Sequence, residues 1–304
     1  MVTFASGPVR VSVPATSANL GPGFDSLGLA LDLRDELEAE VTASGLVVEV
    51  SGAGADDVPR DESHLVVRAM RAAFAEMAAE PDGLRLSCTN VIPHARGLGS
   101  SSAAIVAGVC LARGLVAGGT LLMDDDAVFR LAARLEGHPD NVAPALHGGF
   151  VIAGKEDGAY YAVGSSVDPR VTAVVFVPPS PVSTEVARGL LPAEVPHADA
   201  AADAGRTALL VAALAGQPEL LHLATRDYLH QEYRRPAMPA SLALVDALRA
   251  DGHAAIVSGA GPTVLVFADG PGASSATTAD LLERCPDGWA VHHLAVDRDG
   301  ARIG

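Results

Sequence analysis

Val9, Val11 and Val13 alternate with polar neighbours, the period-two pattern of a half-buried strand, and Pro14 predicts its end. From Ala15 to Gly28 the chain is polar and glycine-rich and reads as a loop. Strand-like runs follow at Leu37–Thr42 and Leu46–Val50. Ser63 can cap a helix through Ala79, with Leu65, Ala69, Ala72, Ala73 and Met77 roughly on one face. Leu84–Cys88 reads as a strand, and Ala103 to about Gly114 as a helix. Asp125 or Asp126 caps the next helix, where Val128, Leu131, Ala132 and Leu135 make an apolar stripe that Gly137 ends. Gly148–Ile152 starts another strand.

Gly154–Arg170 is turn-rich, and a domain boundary is expected there, giving residues 1–160 and 161–304. The second half opens on the strand Val171–Val177. Helical stretches near 183–191, 200–214, 220–229 and 242–250 follow. After them come strands at 255–258 and 263–267, a helix near Ser275–Cys285 and a last strand at 289–294. Strands and helices without strict alternation predict an α+β fold.

Between the strand at Leu84–Cys88 and the helix at Ala103 stands Pro93-His94-Ala95-Arg96-Gly97-Leu98-Gly99-Ser100-Ser101-Ser102-Ala103-Ala104. Gly97 and Gly99 permit backbone angles that a Cβ forbids. The helix behind them presents unpaired N–H groups and a positive dipole end, an anion site for which phosphate is the usual occupant. The ordinary alternative is a serine-rich N-cap.

Lysine separates the phosphate-loop families. The chain has one, Lys155, far from this loop. A Walker A loop requires Gly-Lys-Ser/Thr, but Ser100 follows Gly99. The strand lysine of protein kinases and the Schiff-base lysine of pyridoxal enzymes have no counterpart in the right setting. Ser102 stands where a dinucleotide fingerprint needs its third glycine.

Composition narrows the picture further. At 304 residues, 49% hydrophobic, the chain can bury a large core. Its net charge of −16, without a basic cluster longer than Arg234-Arg235, argues against a nucleic-acid partner. Cys88, Cys110 and Cys285 lack metal spacing. No signal-like start or long apolar run is seen, so the expectation is a cytoplasmic protein with no membrane partner.

The Pro93–Ala104 segment resembles the ATP loop of the GHMP kinases, the superfamily of galactokinase, homoserine kinase, mevalonate kinase and phosphomevalonate kinase. Pro14–Gly28, Glu136-Gly137-His138-Pro139-Asp140-Asn141-Val142-Ala143-Pro144 and Ser258-Gly259-Ala260-Gly261-Pro262-Thr263 match in order. The first two of these are similar to the homoserine kinases in particular. The resemblance runs from Val9 to Phe267. It implies a two-domain GHMP kinase fold, an N-terminal domain like ribosomal protein S5 domain 2 and a ferredoxin-like C-terminal domain, with the site between them.

It also implies ATP-dependent, direct phosphorylation of the side-chain hydroxyl of L-homoserine, on the way to threonine, and a homodimer. The loop from Pro93 to Ala103, together with Gly261, would hold ATP. Ser101 and Glu136 would hold Mg²⁺, which needs few protein oxygens. Glu136 stands at a helix C-terminus, against the dipole, and a solvated glutamate is its plainer reading. Asp140 and Asn141 would orient the acceptor, with an Asx turn as their alternative. Asn19 and Asp25 would take the ammonium. Arg188, Thr184 and Arg234 would take the carboxylate, which prefers planar guanidinium forks. Another GHMP small-metabolite kinase, mevalonate-type, and a non-catalytic ATP or amino-acid sensor stay open as rivals.

Overall fold

The computed structural model describes residues 3–269 and 276–304. In chain order its first part comprises β1 (Val9–Ala18), β2 (Leu27–Thr42), β3 (Gly45–Gly52), α1 (Leu65–Glu76) and β4 (Gly83–Asn90). It continues with α2 (Ser100–Leu115), the short α3 (Gly119–Leu122), α4 (Asp125–Glu136), α5 (Val142–His147), β5 (Phe150–Glu156) and β6 (Ala159–Ser165). The second part holds β7 (Val171–Val177), α6 (Thr184–Gly189), α7 (His197–Gly216), α8 (Leu221–Ala224) and α9 (Pro239–Ala250). It ends with β8 (Ala254–Val257), β9 (Val264–Asp269), α10 (Ala276–Glu283), β10 (Ala290–Ala295) and β11 (Arg302–Ile303). Ser275, the expected start of the last helix, lies outside the described residues.

The first sheet runs β11-β1-β2-β4-β3, with β5 on β2 and β6 on β5. Pro14 does not end β1. The register against β2 shifts between Pro14 and Ala15, and the irregularity accommodates a residue that has no N–H to donate. The expected loop therefore shrinks to residues 19–26. The turn-rich stretch after Gly154 contains β6, paired antiparallel with β5.

Within the layer behind this sheet, α2 is buried almost all round, as its run of Ala, Ile, Val, Cys and Leu dictates. It begins at Ser100, three residues before the expected Ala103, because Gly99 at φ 69° turns the chain directly into it. For α4 the cap is Asp124, whose carboxylate accepts the Ala127 amide at 2.7 Å, one residue ahead of the expected pair. Asp125 and Asp126 fill its first turn, and Gly137 at φ 94° ends it.

Strands of the second sheet are antiparallel in the order β10-β7-β9-β8. With α6–α9 between β7 and β8, and α10 between β9 and β10, this is the split βαββαβ arrangement of ferredoxin-like folds. Every residue of β7 is buried, as its unbroken apolar run requires. Val174, Phe176, Leu242, Val245, Val264 and Val266 build a core here that is separate from that of the first sheet. After β10 the chain returns: Val296 bridges Leu31, and β11 pairs with β1. No helix among the described residues is long and apolar enough to cross a membrane.

Candidate active site

Loops and helix ends converge between the sheets on a cavity of about 290 Å³. Its walls come from Ala18-Asn19, from Ala95–Ser101, from Glu136–Asn141, from Ser183–Arg188, and from Arg234 with Gly259-Ala260. Of these six segments, the two at Ser183–Arg188 and Arg234 lie outside the motifs singled out in the sequence, and the other four lie within them.

The Gly97–Ser102 turn is shaped by close approach. A Cβ on Gly99 would fall inside Thr16 Oγ1, and one on Gly97 would strike the Ser258 carbonyl, while both residues stand at positive φ. The turn delivers Ser100 and Ser101 to the N-terminus of α2 with no side-chain cap. The first amides of that helix are therefore donors without a helical partner.

Glu136 ends α4, but its carboxylate lies at the opposite dipole. Its Oε1 accepts from Ser101 Oγ at 2.5 Å and from Ser102 Oγ at 2.8 Å, at the positive end of α2. Two hydroxyls and the N-terminus of one helix thus compensate for the C-terminus of another. Ser101 and Glu136 together supply the few hard oxygens that a cation shared with phosphates requires. Among the described residues no cluster of three or more His, Cys, Asp or Glu forms a complete cage.

Asp140 is 2% exposed. It accepts from His138 Nδ1 at 2.8 Å and from the Asn141 amide at 3.0 Å. Burial opposes the charged form of His138, but the bond to Asp140 and the nearby Asp140 and Glu136 charges outweigh it and raise its pKa. Asn141 Oδ1 accepts from Thr16 Oγ1 at 2.8 Å, which leaves its amide nitrogen as the end without a hydrogen bond among the described residues.

At the other end of the cavity the predicted ammonium and carboxylate groups engage one another. Arg188 forks onto Asp25 at 2.6 and 3.0 Å. Asn19 Oδ1 accepts the Asp25 amide at 2.9 Å, and its Nδ2 donates to the Gly259 carbonyl at 2.8 Å. Each end of Asn19 thus holds the loop, with one N–H and one lone pair left over, and Asn19 lines the cavity. Arg234 is 1% exposed, and its Nε finds no partner among the described residues. Burial first, then the Arg188 charge, push its pKa down to about 10, so it stays cationic at neutral pH. The Phe24 ring centroid lies 5.6 Å from the Arg188 guanidinium and 5.7 Å from that of Arg234. Arg235, next in the chain, turns away onto Glu232 and Asp246.

Several expected nucleotide contacts lie behind the wall. Leu98 and Ala103 are fully buried, and Pro93 and Ser102 do not line the cavity. The Arg96 guanidinium donates to the carbonyls of His94, Pro178 and Pro179, binding the loop to the second part of the chain. Gly261 also stands back, its backbone packed beside Gly97. Ser258 completes the tie: its Oγ donates to the Gly97 carbonyl at 2.6 Å and lies 2.8 Å from Ser17 Oγ.

Sequence reasoning missed a second cavity of about 260 Å³ that shares Ser100 and Ser101 with the first. Its walls are largely apolar, with Leu37, Val58, Val66 and Cys88 among them, and His64 and His94 at its polar points. His64 Nδ1 is buried without a partner. His94, Ser100, Ser101 and Ala104 come from the Pro93–Ala104 segment, but the other contributors are scattered from residue 35 to 90, and no local motif joins those.

Comparison with known proteins identifies the family. Residues 64–149 match the GHMP kinases N terminal domain, and residues 209–287 match the GHMP kinases C terminal region. The chain is 54% identical to the homoserine kinase of Streptomyces coelicolor, over 99% of this chain and 96% of that protein. It is 51% identical to the homoserine kinase of Clavibacter michiganensis, over 97% and 93%. A crystal structure of homoserine kinase from Cytophaga hutchinsonii superposes with TM-score 0.83 at 26% identity, covering 98% of each chain. L. major mevalonate kinase, at 16% identity and TM-score 0.71 over 97% of each chain, shares the fold. Both halves of the chain and its full-length relatives lead to one assignment: it belongs to the GHMP kinase family.

Proposed function

We propose that the protein is an ATP-dependent homoserine kinase. It transfers the γ-phosphoryl group to the side-chain hydroxyl of L-homoserine and yields O-phospho-L-homoserine and ADP. The observation that carries this reading is the cavity's polarity. An anion-binding helix end with Ser101 and Glu136 stands at one end, and the charges an amino acid needs stand at the other.

The triphosphate belongs at the amides of α2, and the purine in the apolar second cavity beyond Ser100 and Ser101. Mg²⁺ would be held by Ser101 and Glu136 and would neutralise charge on the transferring group. Asn141, fixed by Thr16, offers its amide nitrogen to the acceptor hydroxyl. Asp140, already accepting two bonds, anchors this turn. Phosphoryl transfer with a loose transition state asks mainly for positioning and little of a base. Arg234 has an orphan buried donor that the substrate carboxylate would satisfy. Asp25 would exchange part of its pairing with Arg188 for the substrate ammonium, and the freed arginine would reach the same carboxylate. Mevalonate has no ammonium, so this end disfavours it.

The test is ADP release with ATP and Mg²⁺ on L-homoserine, L-serine, L-threonine and mevalonate. Turnover on homoserine far above the others supports the reading. Turnover on mevalonate overturns the substrate, and ATP binding without turnover on any acceptor favours a sensor.

A further inference from the structure

His230 belongs to none of the motifs and does not line the cavity, yet its imidazole is fully buried behind Arg234. Its Nε2 lies 2.8 Å from the Gly21 carbonyl, and its Nδ1 lies 2.9 Å from Arg234 Nη1. A carbonyl only accepts, and a guanidinium only donates. The two contacts are satisfied together by a single protonation state, the neutral ring with its proton on Nε2. The same Nη1 also donates to the Gly259 carbonyl at 3.1 Å, and that carbonyl accepts Asn19 Nδ2 as well. Phe24 stacks on His230 with ring centroids 5.3 Å apart.

We propose that His230 is the positioning residue for Arg234, fixing the guanidinium as a fork for the substrate carboxylate and tying that fork to the Gly21–Asp25 loop. The proposal rests on the reading of Arg234 as the carboxylate-binding residue. An arginine carries several rotatable bonds, and a bound geometry not already set must be ordered at the cost of substrate affinity. Here one ring links the loop behind Asp25 to the arginine facing it. The arginine is thereby tied to the loop whose far end, held by Asn19 and Arg188, carries Asp25.

Surroundings hold the ring neutral. Burial pushes its pKa below the ordinary imidazole value, against the pull of Asp227, whose Oδ1 is 3.5 Å from Nε2, and of Asp25. The Arg234 charge works in the same direction as burial. Asp227 is itself occupied as an acceptor for the amides of Leu229, His230 and Gln231. A proton on Nδ1 would set N–H against N–H and release Arg234.

Two substitutions separate this role from mere packing. In His230→Asn the side-chain oxygen occupies the Nδ1 place and can still accept from Arg234. In His230→Gln the amide nitrogen occupies the Nε2 place and keeps the Gly21 bond but offers Arg234 no acceptor. His230→Gln is expected to raise the KM for homoserine by about 10-fold or more, the loss of one hydrogen bond to a charged group. His230→Asn should stay well below that, with the KM for ATP and kcat at saturating homoserine little changed in both. Equal behaviour of the two variants, or a loss in kcat with homoserine KM unchanged, overturns the proposal.

A second measurement uses the unaltered protein and needs no substrate. Long-range ¹⁵N–¹H NMR of the assigned His230 ring should show Nδ1 unprotonated and Nε2 protonated between pH 6 and 8. A proton on Nδ1 overturns the proposal whatever the variants do. Failure of wild-type turnover on homoserine would instead strike the functional reading and leave the tautomer result standing.

Discussion

At the scale of single residues, Glu136 carries the sharpest charge argument. Its carboxylate is bound to two serine hydroxyls and the α2 N-terminus, so Glu136→Gln keeps an acceptor for the hydroxyls and removes only the charge. Folding should survive. kcat should fall by about 100-fold or more, and the loss should shrink at high Mg²⁺ or Mn²⁺ concentration, while the homoserine KM moves little. Steady-state kinetics across a metal titration checks this, and unchanged metal dependence would remove Glu136 from the cation site. Asp203 on α7 makes a stability argument instead. It is 2% exposed, accepts the Tyr228 amide at 3.0 Å, and is pushed by burial up to about 6. A carboxyl whose pKa is higher in the folded than in the unfolded chain binds more protons when folded between about pH 4 and pH 6. Stability therefore falls as pH rises through that window, and the penalty is fully present above it. Asp203→Asn retains an oxygen for Tyr228 and carries no charge. The drop in Tm between pH 5 and pH 7.5 should be smaller in the variant than in the wild type, and parallel curves would refute the assignment.

Whole elements inherit their placement from a few turn residues, and α2 shows it best. Gly99 at φ 69° starts the helix, and its missing Cβ makes room for Thr16, which in turn fixes Asn141. An alanine there pays about 1–2 kcal/mol for the left-handed backbone alone and displaces Thr16 as well. Gly99→Ala should lower Tm by several degrees, at about 2–4 °C per kcal/mol, and weaken ATP more than homoserine. Calorimetry with each ligand separates the two effects. Equal affinities for ATP before and after would show that the turn does not shape the anion site. The same logic explains what could be read in advance. The phosphate turn, the 136–144 turn and the 258–263 turn are written in Gly, Ser, Pro and Asn, whose conformational preferences are local and survive without tertiary context. α4 was legible in its stripe, though its cap moved to Asp124 because three aspartates in a row compete for the place. The second cavity was not legible, because β2, α1 and β4 contribute one or two side chains each across the fold. Nor was the pairing of Arg188 with Asp25: residue type foretold two charges, and only the fold brought them within 2.6 Å. β11, two exposed residues long, has no periodicity to detect.

For the molecule as a whole, two sheets must be kept in the register the site needs, and the larger core already spans both, with Ala173, Val175 and Leu265 of the second sheet in one cluster with Val11, Leu29 and Leu86 of the first. Arg96 and Ser258 join them at the phosphate turn, and the returning C-terminal segment joins them on the far side of β1. Asp297 is the fastening point of that segment. Its carboxylate bonds Arg34 and accepts the amides of Asp299 and Gly300, while its own amide donates to the Ala30 carbonyl. The pair is nearly dry, with side-chain exposures of 10% for Arg34 and 1% for Asp297. Removing one member of a buried pair strands the other and typically costs about 3–5 kcal/mol, whereas an exposed pair contributes about 0–1 kcal/mol. Arg10 and Glu38 on the same sheet provide the exposed control, with Arg10 75% exposed. Asp297→Ala should therefore lower Tm by well over twice the shift of Glu38→Ala. Because the returning segment braces both parts of the chain, the variant should also lose affinity for homoserine, whose proposed contacts come from both, more than the control does. Thermal unfolding and homoserine titration of the two variants side by side decide it. Matching shifts would mean that the C-terminal segment is a passive edge, with the register set by the shared core and the phosphate turn.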